Sequence, residues 1–339
     1  MKKLTKIGAS ALAGSLVAVS AQAGELSVSG TWELTYKSDD KAQTGNPFGS
    51  KSAMSFSGSG DVDGLGTASF FAAINDNSPA GLSSHEVSLD MGDMGTVGFD
   101  QGVGTYGAST IDDKSPTAWE ESWHNTGNSS GGLVHSGGST GVLGYSNTVG
   151  GFGLTVEYAP AMTSADNGDG GAGGDNTSLA NGSNVNFAIT NSDLIDGLSF
   201  GFGAGQTEYD DSAIAGNEDG SSAVGFANYT MGSITAGVTL SDSNNARSSN
   251  TNNGGREVEA YGIAFAVNEN LSISYNQHNM TYKKRGADGA DVEQESTGIA
   301  IAYTMGGATL AIQNNSQDNS SGTSGSNDEI TEISLSLAF

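Results

Sequence analysis

The 339-residue chain has no cysteine, which excludes disulfides, thiolate metal sites and cysteine nucleophiles. Proline is scarce, at 4 residues, and so are bases, with 12 Lys and Arg against 38 Asp and Glu. The formal charge is −26, and −29 once Lys2, Lys3 and Lys6 are left out. Acidity on this scale argues against nucleic acid as a partner and against attraction to anionic surfaces. Past Val19 no apolar run approaches the roughly 18 residues of a spanning helix. Glycine, by contrast, is abundant at 52 residues, alongside much Ser, Asn and Thr. That composition alone suggests disorder, but the patterning overrules it.

Residues 1–23, MKKLTKIGASALAGSLVAVSAQA, set three lysines before an apolar run and end on Ala21-Gln22-Ala23. This is the pattern of a cleaved secretory signal, which makes 24–339 the mature domain. The run is too short for a membrane anchor.

Strict alternation follows. In 25-ELSVSGTWELTYK-37, Leu26, Val28, Trp32, Leu34 and Tyr36 share one face and Ser27, Ser29, Thr31, Glu33 and Thr35 the other. The final stretch, 330-ITEISLSLAF-339, sets Ile333, Leu335, Leu337 and Phe339 against Glu332, Ser334, Ser336 and Ala338. Period two means strands with one apolar face. Left unpaired, the last strand would be a bare, adhesive edge; pairing with the first strand removes the edge altogether.

The pattern predicts about sixteen strands: 25–37, 52–62, 66–77, 85–92, 95–101, 141–148, 152–159, 183–190, 197–209, 221–230, 233–242, 256–267, 270–283, 292–304, 308–316 and 328–339. In 221–230 the apolar face is ambiguous. Tight Gly/Asn/Asp turns take turns with long polar inserts, the rhythm of hairpins in an up-and-down barrel. A Tyr precedes the tight turn in 229-YTMG-232 and 303-YTMG-306, where an interfacial aromatic girdle belongs. The expected fold is all-β: a 16-stranded antiparallel up-and-down transmembrane β-barrel. A soluble β-sandwich also alternates, but needs no long-and-short loop rhythm.

Sixteen strands enclose a lumen too wide for side chains to fill, so sieving requires an inward-folded segment. The longest insert, 102–138, is the candidate. Its centre carries Asp112, Asp113, Glu120 and Glu121 against Lys114, with Ile111, Trp119 and Trp123 as wall anchors. Glu33, Asp90 and Asp100 are the expected facing carboxylates, together with Asp61, and Lys37 and Lys51 stand near the rim. The predicted constriction is therefore Asp112, Asp113, Lys114, Trp119, Glu120, Glu121, Glu33, Asp90 and Asp100.

In its export signal, strand rhythm, long insert after the fifth strand and terminal Phe339, the chain resembles the general porins of Gram-negative bacteria, particularly the alphaproteobacterial type. The resemblance implies an outer-membrane homotrimer of water-filled pores, set in lipid and lipopolysaccharide. Such pores pass small hydrophilic solutes and ions by diffusion and use the third extracellular loop as a constriction. The family opposes loop carboxylates with wall arginines, and here the chain departs from it. Its only arginines, Arg247, Arg256 and Arg285, fall at or beside predicted outer loops. A lumen ringed by carboxylates favours cations.

Other chemistry is thin. The insert 166-DNGDGGAGGDN-176 lacks EF-hand spacing, so no cofactor is expected beyond loosely held Ca²⁺. His85, His124, His135 and His278 show no metal spacing. No G-x-S-x-G elbow stands out, and no enzyme is expected. Two alternatives stay open. One is a channel preferring sugars, amino acids or dicarboxylates, with Tyr106, Trp119 and Trp123 as stacking groups. The other is a non-conducting surface or adhesin barrel.

Overall fold

The computed structural model describes residues 19–21, 24–40, 45–76, 82–131, 140–160, 183–208, 219–244, 255–284 and 290–339. Its strands in chain order are β1 (Val19–Ala21), β2 (Gly24–Asp39), β3 (Phe48–Val62), β4 (Gly66–Asn75), β5 (Ser84–Asp90) and β6 (Thr96–Gln101). Next come β7 (Thr140–Val149), β8 (Phe152–Ala159), β9 (Asn184–Asn191), β10 (Leu198–Thr207), β11 (Gly220–Met231) and β12 (Ile234–Asn244). The last are β13 (Gly255–Ala266), β14 (Leu271–Lys283), β15 (Val292–Met305), β16 (Ala308–Asp318) and β17 (Asp328–Ala338).

Strands β2 to β17 each pair antiparallel with their sequence neighbours. The ring closes between β17 and β2, with Leu335 opposite Leu34 and Ile333 opposite Tyr36. Closure runs to the last residue, where Phe339 N–H donates to Gly30 O at 2.9 Å and Gly30 N–H returns to Phe339 O at 3.1 Å. A closed sixteen-strand ring leaves no edge and pairs the backbone internally, which is what hydrocarbon demands. The three-residue β1 pairs with the first residues of β2. The rest of the predicted signal, 1–18 and 22–23, lies outside the described residues.

The two faces separate cleanly. On β17, Leu335 is 37% exposed while Ser334 is 1% exposed. Leu240, Ile263, Ile301 and Ile312 are likewise exposed, and their neighbours Thr239, Ala300 and Gln313 are buried. An apolar belt therefore covers one face of the cylinder and a polar surface the other, as expected of a wall between lipid and water. Turns and inserts follow the predicted rhythm. The β7–β8 turn is Gly150-Gly151, both at positive φ (59° and 84°), which a two-residue hairpin requires.

Strand limits shift by a few residues from the sequence reading. The largest shift is at β3, which starts at Phe48 because that ring packs edge-on against Tyr36, 5.4 Å between centroids. On β11 the ambiguity resolves with Val224 and Phe226 buried and Tyr229 exposed. Two apolar residues thus stand on the polar face, for a reason given below.

An Ile312→Arg substitution in the apolar belt is expected to cost about 2–4 kcal/mol, and Glu329→Arg at the polar rim under about 1 kcal/mol. Urea unfolding from lipid vesicles measures both. Equal, small effects would contradict a lipid-facing belt.

Candidate functional site

The segment between β6 and β7 is described through Gly131 and has no strand partner. Ordering some thirty residues costs on the order of tens of kcal/mol, and their backbone polar groups must still be satisfied. The polar face of the barrel supplies both needs.

Amide and hydroxyl side chains on the strands take up the loop backbone. Gly107 N–H donates to Thr155 Oγ1 at 2.9 Å, Ala108 N–H to Asn186 Oδ1 at 2.7 Å and Ala118 N–H to Ser274 Oγ at 2.8 Å. In the other direction, Asn228 donates to Lys114 O at 2.7 Å, Asn276 to Pro116 O at 2.8 Å and Gln313 to Glu121 O at 2.7 Å. Gln317 both donates to Asn128 O and accepts Asn128 N–H, at 3.0 and 2.9 Å. Neutral amides suit this task because each carries donor and acceptor without the desolvation cost of a charge.

Three apolar clusters add burial. Ala108 and Ile111, on a 3-10 turn, pack with Ala188, Val224 and Phe226, which accounts for the apolar inner residues of β11. Ala118 and Trp119 pack on Ala300, Ala302 and Ala311, and Trp123 on Val258, Met280 and Tyr282. The ring of Trp123 also lies 4.3 Å from that of His278.

Glycines on the polar face make the room. A Cβ at Gly98 or Gly144 would lie about 2 Å from Tyr106, one at Gly203 3.2 Å from Ala108 and Ile111. Cβ atoms at Gly237 and Gly262 would crowd Pro116, and one at Gly298 would meet Ser122 at 2.9 Å. Glycines on β6, β7, β10, β12, β13 and β15 thus form a trough in which the loop lies.

The predicted site residues divide into groups. Asp112, Asp113, Lys114 and Glu121 stand on the loop, and Glu121 is hydrogen-bonded to Asp113. Burial, then the charge of Asp113, pushes the Asp112 carboxyl up to about 6, with Lys114 opposing. Burial first, then Asp113 and Glu120, holds the Glu121 carboxyl far above its ordinary range. Glu121 thus keeps a proton that Asp113 accepts as a hydrogen bond.

Glu120 belongs to a second cluster, with Glu33, the rim lysines Lys37 and Lys51, and three residues not named as site residues in the sequence: His124, Asn125 and Glu332. His124 lies 3.7 Å from both Glu120 and Glu332. Asn125 donates to Glu332 Oε2 at 2.6 Å, and Lys37 Nζ donates to Asn125 O at 2.6 Å. Glu33 pairs with Lys51 at 2.7 Å and accepts Ser334 Oγ–H at 2.5 Å. Glu332 was legible as a polar-face residue from its alternation with Ile333. Its nearness to the loop was not.

Asp100 and Asp90 join neither cluster. Asp100 is buried and accepts the N–H groups of Val103, Gly104 and Thr105 at 2.7–2.9 Å, fixing the loop's exit from β6. Asp90 accepts Gly92 N–H at 2.9 Å in the short β5–β6 turn and borders an 810 Å³ cleft that Thr110 also lines. Glu86, unremarked in the sequence, accepts Thr105 Oγ1–H at 2.5 Å and Tyr106 O–H at 3.1 Å. Burial, then Glu86, raises the Tyr106 phenol. Tyr106, Trp119 and Trp123 are all buried, leaving no open ring face for a solute. Arg256 sits 5.3 Å from the Tyr282 ring centre; Arg247 and Arg285 lie outside the described residues.

Among the described residues no cluster of His, Cys, Asp and Glu suits a metal ion; the insert 166–176 and His135 fall outside them.

Two outcomes are expected. Gly144→Val drives a side chain into Tyr106 and frees the loop, read as protease cleavage within 102–131 of the folded barrel; unchanged protection would contradict the trough. Because Glu121 is held protonated, its contribution to docking is fully present below its ordinary pKa of 4.5 and is lost progressively as pH rises above it. Protection should therefore weaken toward alkaline pH, and Glu121→Gln should flatten that profile. A profile that steepens instead would contradict the proton assignment.

A family model described as Gram-negative porin matches residues 8–337. No curated protein matches the chain. Solved structures share the fold at low identity. OmpF of Salmonella typhi, in complex with daunomycin, is 14% identical with a TM-score of 0.66, covering 95% of this chain and 100% of that one. A loop L8 deletion mutant of OmpT, an outer membrane protein of Vibrio cholerae, is 15% identical at 0.65, covering 94% and 100%. An anion-selective porin from Comamonas acidovorans is 14% identical at 0.62, covering 93% and 100%. With a family match over nearly its whole length and a closed barrel to go with it, the chain belongs to the Gram-negative porins, outer-membrane β-barrel channels.

Proposed function

We propose that the barrel is a water-filled channel for passive diffusion of small hydrophilic solutes and ions, biased toward cations, with the β6–β7 loop as its constriction inside the lumen. One observation carries this reading. The loop is bonded to the polar face at Glu86 of β5 and at strands from β8 round to β17 and β2, while polar-face residues Ser57, Ser59 and Asp61 of β3 stay exposed. A passage bounded by the loop on one side and the walls of β2–β5 on the other follows.

The charge balance supports the bias. Around the loop stand Asp112, Asp113, Glu120, Glu121, Glu33 and Glu332, against Lys37, Lys51 and Lys114. Even with Glu121 protonated, carboxylates exceed bases, and such a lumen concentrates cations. A neighbour named as anion-selective has the same fold, so the preference rests on these side chains rather than on the barrel.

The same reading takes residues 1–23 as a cleaved export signal. It takes the assembly as a homotrimer, in keeping with a neighbour described in trimer form. It places the apolar belt in lipid beside lipopolysaccharide, assigns the alphaproteobacterial type and leaves Ca²⁺ a loose association with acidic outer loops. Family and fold point to a non-enzymatic channel.

The test is the zero-current potential across a KCl gradient in planar bilayers. Its sign should report cation preference, and the double variant Asp113→Asn/Glu120→Gln should reduce the permeability ratio several-fold. Anion preference in the unmodified channel would overturn the bias.

A further inference from the structure

Where the loop leaves the polar face uncovered, that face has an ordered composition. Cross-strand pairing sets Ser27 of β2 opposite Ser57 of β3, Ser57 opposite Phe71 of β4, and Phe71 opposite Glu86 of β5. The next row toward the short turns sets Ser59, Ser69 and Ser88 side by side. These residues line a cleft of about 350 Å³. Directly opposed side chains stand about 5 Å apart across strands and alternate rows about 7 Å apart along them. The patch therefore measures about 15 by 7 Å, the footprint of one or two pyranose rings.

We infer that this wall is a weak binding subsite for uncharged polyhydroxylated solutes, sugars and polyols, on their way through the channel. The inference deepens the channel reading and rests on it. Each serine hydroxyl both donates and accepts, matching a solute that presents the same pair at every carbon. Phe71 is half-buried, whereas Tyr106, Trp119, Trp123 and Tyr282 are buried beside or under the loop. Its ring offers an apolar face to the C–H side of a sugar. Glu86 closes the row as an acceptor, held in place by Thr105 and Tyr106 of the loop. Neither row contains a base, so the patch gives an anion nothing to pair with. The single carboxylate already receives two hydrogen bonds, which makes it a poor cation trap.

The experiment uses the full chain reconstituted in planar bilayers, with ion current recorded while maltose is added, and polyethylene glycol of matched size as the comparison. Maltose should lower the current along a saturating curve, and the polymer only in proportion to bulk conductivity. Phe71→Leu, which keeps a large apolar side chain and removes the ring, should raise the half-blocking concentration about tenfold, about 1.4 kcal/mol of binding. Ser57→Ala/Ser69→Ala should raise it several-fold. Current that responds identically to maltose and polymer, or a block unchanged in both variants, overturns the subsite and leaves the channel standing. Absence of any current overturns both.

Discussion

The backbone hydrogen bond between the chain's last strand and its first is the constraint on which everything else depends. In hydrocarbon an unpaired N–H or C=O costs several kcal/mol, so a strand-built wall is stable only as a complete ring. Leu335 and Leu34, opposed across the seam, place the junction within the apolar belt. Once the ring is shut, the alternation in the sequence has one consequence: apolar side chains go to one face and polar ones to the other.

Closure also creates the problem the loop solves. A sixteen-strand cylinder is too wide to be filled by its own side chains. On the proposed reading the 102–131 segment narrows it; its backbone is satisfied by Asn, Gln, Ser and Thr on the wall, and its apolar residues rest in three clusters. Glycine lets the segment approach. Tyr106 occupies the volume over Gly98 and Gly144 that any other side chain would take. Charge is then left for the place where the loop meets β17 and β2, with Glu120, His124 and Glu332 beside Lys37, Lys51 and Glu33.

Much of the fold was legible in the sequence, because period-two alternation and Gly-rich turns are local signals. The site was legible only in part. Parity told that Asp90, Asp100 and Glu33 share the polar face, but parity says nothing of height along the strand or of which partner arrives. Asp100 spends its oxygens on three loop N–H groups and Asp90 on a turn, so only Glu33 reaches the charged cluster. Val224 and Phe226 looked like a broken pattern because their partners, Ala108 and Ile111, lie more than a hundred residues earlier. The glycine trough is invisible in sequence for the same reason: each contact is long-range, and glycine in a strand ordinarily reads as a weakness.

The absence of cysteine makes one direct measurement clean. Ala108→Cys/Ala188→Cys joins the loop to the wall within one buried apolar cluster, at two positions that already carry a Cβ. With the loop seated on the inner wall, the bridge should form in the folded barrel, and the oxidised channel should carry the same current as the reduced one. A correctly folded barrel in which the bridge fails to form, or one whose current changes severalfold on oxidation, would contradict the account.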